Sequence, residues 1–129
     1  LHGRDGSLTE VKFIAGKEAA KSGKAPDKII IEPYGRGNNA YRWAGETDVF
    51  EGLGLAGASV DPSRVVLRGF SMGGAGAWHI GLHHPGTFAV IGPGAGFTTT
   101  RGYVGKLPEK LPFDQDATLH IYCLLYTSD

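Results

Sequence analysis

The chain has 129 residues, enough for at most one domain. Its 13 basic and 13 acidic residues balance, so its net charge does not favour binding to nucleic acid or to a membrane surface. No apolar run approaches the roughly 20 residues of a membrane-spanning helix. The single cysteine, Cys123, lies in a C-terminal stretch that we expect to be foreign to the fold. Residues 1–122 therefore contain no disulfide, cysteine nucleophile or cysteine-based metal site.

The first half of the chain predicts two helices and a short strand. In chain order we expect a strand end and glycine-rich loop over residues 1–6, a helix over 7–22, a buried strand over 29–31 and a short helix over 48–56. Ser7 followed three residues later by Glu10 is a capping-box pattern, which is typical of a helix N-terminus. Leu8, Val11 and Ile14 can share one face of that helix.

The second half predicts a strand, a helix, a further strand and an irregular tail. We expect a strand over residues 65–68, a helix from about residue 72 to 84, a strand over 88–91, irregular structure to about 118 and a new element from 119. Alternating strands and helices imply a parallel sheet with helices on both faces, a three-layer α/β/α arrangement.

The turn at Ser71 is the most informative motif. It has the pattern Gly-x-Ser-x-Gly over residues 69–73, which in a chain with 21 glycines is weak evidence on its own. Its context is more specific, because an apolar, largely β-branched run precedes Gly69 and small residues follow Gly73. A strand, a sharp turn with a serine at its tip and a helix form a nucleophile elbow. We expect strained backbone at Ser71 and no room for a Cβ at either glycine. The alternative is a glycine-rich turn with a solvated serine.

The segment from Tyr34 to Gly45 has no helix or strand period and is rich in aromatic and hydrogen-bonding side chains. It follows the carboxyl end of a predicted strand, the edge at which open α/β sheets bind ligands. We therefore expect this loop, which carries Tyr41 and Arg42, to line a substrate site, and we nominate its Tyr34, Arg36 and Trp43 as the lining residues. The alternative is a surface connection whose rings pack on a neighbouring element.

Four short segments make the chain resemble the α/β-hydrolase superfamily, and within it the prolyl-oligopeptidase-type serine peptidases and related esterases. They are Leu-His-Gly at residues 1–3, Asp-Pro-Ser-Arg at 61–64, Gly-Phe-Ser-Met-Gly-Gly at 69–74 and His-Pro at 84–85. The resemblance extends over nearly all of residues 1–95. It implies that residues 1–122 are the central part of one catalytic domain, truncated at both ends.

The resemblance implies a role for each residue of the turn and of the N-terminal loop. Ser71 would be the nucleophile that forms an acyl-enzyme, with Phe70 completing the elbow. The backbone N–H of Met72 would be one donor of the oxyanion hole. The N–H of Gly3 or Arg4 would be the second donor. The Arg-Asp-Gly continuation at residues 4–6 departs from the glycine-rich or aromatic sequences expected there.

The acid and the histidine of a catalytic triad are not assigned to any residue of this chain. In α/β-hydrolases they follow the serine along the sequence, beyond the strands predicted here. The histidines at positions 2, 79, 83, 84 and 120 are expected to be structural or solvated. Asp114 and Asp116 lie in a polar loop and are not nominated as the triad acid.

Three functions remain open, namely a serine peptidase or carboxylesterase, an acyltransferase with the same chemistry, and a non-catalytic binding protein that kept the elbow. The expected partner is a small-molecule ester or peptide substrate. No metal cluster or phosphate-cradling motif is present, so no cofactor is expected. Residues 123–129 resemble a translated sequencing adapter and are predicted not to belong to the fold.

Overall fold

The computed structural model describes residues 1–19, 28–101 and 106–120. Its helices and strands are α1 (Glu10–Ala19), α2 (Ala44–Ala56), β1 (Val66–Phe70), α3 (Met72–His83), β2 (Val90–Gly94) and α4 (Phe113–Leu119). Short 3-10 turns at Gly57–Ser59 and Pro62–Arg64 connect α2 to β1. The predicted end of the first helix near residue 22, and the tail at 123–129, lie outside the described residues.

The centre of the fold is a strand–helix–strand unit. β1 and β2 are parallel and in continuous register, with Val66 opposite Val90 and Phe70 opposite Gly94. α3 connects them and packs on both strands. The predicted α/β class with a parallel sheet is thereby confirmed. The sheet has two strands among the described residues.

α3 packs closely against one face of the sheet because its inward positions are small. Ala75 and Ala77 are buried together with Ile80, and they meet Leu67 from β1 in one apolar cluster. The side chains on the opposite face, Val66, Phe70 and Val90, are 51–66% exposed. Among the described residues, helix packing is therefore established on one face, and a helix layer over the second face is not observed.

The predicted strand at residues 29–31 does not form, because no neighbouring strand pairs with it in the described part of the chain. Its three isoleucines are 36–64% exposed. An open groove of about 890 Å³ is lined by this segment as well as by β1. A β-branched run is thus insufficient to make a strand, since a strand requires a hydrogen-bonded partner.

The other predicted elements differ from the structure mainly at their boundaries. α1 begins at Glu10 rather than Ser7, because the Thr9 hydroxyl accepts the N–H of Lys12 while Ser7 instead donates to Asp5. The second strand runs through residues 92–94, where we expected it to end. α4 was predicted as irregular structure, and its length of seven residues leaves little periodicity to detect.

Candidate active site

Ser71 lies at a sharp turn between the end of β1 and the start of α3. Its backbone angles, φ 54° and ψ −116°, lie outside the regions that residues other than glycine usually adopt. Its N–H donates to Gly94 O at 2.9 Å, and its carbonyl accepts the N–H of Ala75 at 3.0 Å. The sheet and the helix together hold the strained conformation, as predicted from the motif.

The two glycines of the motif are required by backbone contacts. A Cβ at Gly69 would lie 1.9 Å from Gly73 O, so the strand could not approach the first turn of α3. A Cβ at Gly73 would lie 2.3 Å from Leu1 O and 2.7 Å from His2 O. The predicted crowding is confirmed at both glycines. At Gly69 it comes from the first turn of α3, and at Gly73 it comes from the N-terminal segment, which packs directly on the start of that helix.

Met72 is the first residue of α3, and its side chain is buried. The N–H groups of a first helical turn have no intrahelical acceptors. The Met72 N–H accordingly has no recorded partner in the described part of the chain. Together with the partial positive charge of the helix N-terminus, it is available to bind an anionic oxygen next to Ser71.

The N-terminal residues form a loop beside Ser71. Leu1 pairs with β1 as a parallel strand would, since its amino group donates to Arg68 O at 2.5 Å and its carbonyl accepts the N–H of Phe70 at 3.3 Å. This pairing leads the chain past the elbow, where a Cβ on Gly3 would lie 3.6 Å from Ser71 Cβ. The structure therefore brings Gly3, one of the two nominated donors, next to the serine.

The histidines all have other partners, and none of the hydrogen bonds recorded for described residues reaches Ser71 Oγ. Both ring nitrogens of His2 face carbonyl oxygens, those of Gly3 and Tyr34. His120 lies 3.7 Å from Asp116, which also pairs with Arg101. That the base for Ser71 lies elsewhere stays a prediction.

Glu46 of α2 contacts two histidines of α3, the helix that follows the elbow and that we call the elbow helix: His79 lies within it and His84 directly follows it. Its carboxylate lies 2.8 Å from His79 Nε2 and 2.5 Å from His84 Nε2. Burial raises the pKa of Glu46, but the hydrogen bonds from His84 and His79 outweigh burial and leave the pKa below its usual range. The cluster anchors α2 to α3 and was not predicted from the sequence, because its members are more than 30 residues apart.

The three nominated substrate-lining residues occupy different environments. The Tyr34 hydroxyl donates to Leu8 O at 3.1 Å, and Arg36 pairs with Asp48 at 2.8 Å. Trp43 is 71% exposed, with the Arg42 guanidinium 4.8 Å from its ring centre. Its backbone angles, φ 52° and ψ −118°, nearly equal those of Ser71. No contact recorded for these three residues within the described ranges reaches Ser71.

Asn38 and Tyr41 both contact the N-terminal loop, whereas the sequence predicted a substrate-lining place for Tyr41 and no role for Asn38. Asn38 exchanges two hydrogen bonds with the backbone of Asp5, both at 3.2 Å. Tyr41 is fully buried, and its hydroxyl accepts the N–H of His2 at 2.8 Å. No local pattern could have identified them, since both contacts span more than 30 residues of sequence.

No group of three or more histidine, cysteine, aspartate or glutamate residues in the described part of the chain could hold a metal ion. Among the described residues, no helix is long and apolar enough to cross a membrane. Comparison with models of protein families, with curated proteins and with solved structures found no match for this chain. The function must therefore be inferred from the geometry around Ser71.

Proposed function

We propose that this chain contains the nucleophile and oxyanion hole of a serine hydrolase that acts on ester or peptide bonds, similar to prolyl-oligopeptidase-type peptidases and related esterases. The main supporting observation is the strained backbone of Ser71 at a strand-to-helix turn. The turn is so tight that neither Gly69 nor Gly73 has room for a Cβ. A solvated serine in an ordinary turn has no need for a positive φ, which is costly for residues other than glycine.

In the proposed reaction, Ser71 Oγ attacks the carbonyl carbon of the substrate, and its proton passes to a general base. The negative charge that develops on the carbonyl oxygen is stabilised by the N–H of Met72 and by the N–H of Gly3 or Arg4. Collapse of this intermediate breaks the bond to the leaving group, which takes up the proton. Water then attacks the acyl-enzyme while the base takes its proton, and that proton returns to Ser71 Oγ as the carboxylic acid product leaves. The base, and the acid that orients it, would lie outside the described residues.

The proposed hydrolase has a three-layer α/β/α domain, which is larger than the two-stranded sheet and its helix. In a three-layer α/β/α domain, a second helix layer would cover the face that now exposes Val66, Phe70 and Val90. A soluble monomer rarely leaves a large contiguous apolar patch uncovered, and three isoleucines line the groove next to this face. These exposed side chains support the proposed three-layer architecture.

Substitution of the nucleophile in the complete enzyme tests the proposal. Ser71→Ala should abolish hydrolysis of a chromogenic ester and of a peptide anilide, because the variant has no hydroxyl at the position from which the substrate is attacked. Ser63→Ala is a matched control, since Ser63 lies at the opposite end of β1 and donates its hydroxyl to Asp61. Retained turnover in Ser71→Ala would contradict the proposal. A complete protein without hydrolase activity would instead support the non-catalytic binding function.

The 129-residue chain by itself should react poorly with a fluorophosphonate probe. A serine hydroxyl is a weak nucleophile until a base removes its proton, and no base contacts Ser71 Oγ among the described residues. The complete enzyme should be labelled within minutes under the same conditions. Equal labelling of the two would show that a base for Ser71 already lies within this chain.

A further inference from the structure

The segment 34–43, which we call the bracket segment, reaches back to the N-terminal loop at three points. The Tyr41 hydroxyl accepts the N–H of His2 at 2.8 Å, and Asn38 forms two hydrogen bonds with the backbone of Asp5. The carbonyl of Tyr34 lies 2.7 Å from His2 Nε2. These contacts lie on both sides of Gly3 and Arg4 in the sequence.

The hydrogen bonds divide the N–H groups of the N-terminal loop into two sets. Those of His2, Asp5 and Ser7 are occupied by Tyr41, by Asn38 and by the Asp5 carboxylate, respectively. The N–H groups of Gly3 and Arg4 have no recorded hydrogen-bond partner among the described residues. Of the loop amides without a partner, those of Gly3 and Arg4 lie between the two anchored positions in the sequence, and a Cβ on Gly3 would lie 3.6 Å from Ser71 Cβ.

Tyr41 also connects the bracket segment to the elbow helix. Its ring packs on α3, where a Cβ on Gly76 would lie 2.8 Å from it. Its hydroxyl donates to Pro33 O at 3.2 Å while it accepts the N–H of His2, and burial raises its pKa, so it remains protonated. Ala40 and Tyr41 both have positive φ, 55° and 58°, a conformation that the buried ring and the two hydrogen bonds must maintain.

We propose that Tyr41 and Asn38 are positioning residues that fix the free amides of Gly3 and Arg4 opposite the Met72 N–H. This inference rests on the proposed hydrolase function. Met72 begins α3, and Tyr41 packs on the same helix, so one rigid element sets the position of both oxyanion donors. The bracket segment thereby acts on the transition state through the N-terminal loop rather than by contact with substrate. Preorganised donors of this kind require accurate placement to be effective.

The decisive variant in the complete enzyme is Tyr41→Phe, which keeps the ring and removes only the hydroxyl. We expect kcat to fall about tenfold, less than the hundredfold or more typical for complete loss of an oxyanion donor. KM should remain within about twofold, because the N–H groups act on charge that develops in the transition state. Affinity for a boronic acid that mimics the tetrahedral intermediate should fall in parallel with kcat.

A second variant keeps the proposal testable if Tyr41→Phe does not fold. Asn38 is exposed, so Asn38→Ala leaves the core intact, and it should lower kcat about threefold or more with unchanged KM. Ser63→Ala again serves as the control that removes a hydroxyl hydrogen bond elsewhere. A normal kcat in both positioning variants, or in Asn38→Ala alone when Tyr41→Phe is unfolded, would overturn the inference. Because Ser71→Ala separately tests the hydrolase function, the two failures are distinguishable.

Discussion

Substitution of Gly73 by alanine tests whether the N-terminal segment packs directly on the elbow helix. The added Cβ would lie 2.3 Å from Leu1 O, whereas ordinary contact begins at 3.4 Å, so the segment must move by about 1 Å. Overpacking of this kind costs about 1–3 kcal/mol of unfolding free energy. The alanine also gains up to about 1 kcal/mol of helix propensity, which partly hides the steric cost.

Gly54→Ala is the matched comparison for this measurement. Gly54 also lies in a helix, α2, and no atom lies within 4 Å of its added Cβ. Both variants gain similar helix propensity, so their difference isolates the steric cost, which we expect to be about 1–3 kcal/mol. Urea unfolding followed by circular dichroism measures both. If Gly73→Ala is as stable as Gly54→Ala, the N-terminal segment does not pack on α3 as described.

Two further predictions concern residues around the elbow helix and the bracket segment. The folded-state pKa of Glu46 lies below its ordinary value of 4.5, so the stability it adds is present at neutral pH and is lost as the pH falls below that value. Urea midpoints of the wild type and of Glu46→Gln should therefore converge between about pH 6 and about pH 3, and a constant difference would contradict the role assigned to the contacts with His79 and His84. If Arg36 and Trp43 line the substrate site, alanine at either position should raise KM severalfold in the complete enzyme; normal kinetics in both variants would exclude that role.

The elbow was predictable from sequence because the forces that shape it are local. An apolar, largely β-branched run before Gly69 and small residues after Gly73 indicated a buried strand and a closely packed helix, and the structure contains both. The strain at Ser71 followed from the sharpness of the turn. Each of these features depends on residues only a few positions apart, which is where sequence patterns are most informative.

The features that were not predicted depend on contacts between distant residues. Residues 29–31 have a strand composition, yet no partner strand pairs with them among the described residues. Tyr41 reaches His2 across 39 residues, and Asn38 reaches Asp5 across 33. The substrate-lining role of Tyr34, Arg36 and Trp43 stays a prediction, whereas the hydrogen bonds from Asn38 and Tyr41 to the N-terminal loop were not predicted. Such long-range pairing leaves no signature in a single sequence.

Ser71 is the proposed nucleophile of a serine hydrolase. The most direct test of this role is to treat the proposed complete enzyme with a fluorophosphonate and to locate the modified residue by mass spectrometry of its peptides. A single adduct on Ser71, absent in Ser71→Ala and formed in step with loss of esterase activity, is the predicted result. An adduct on another serine, or full inhibition with Ser71 unmodified, would contradict the assignment.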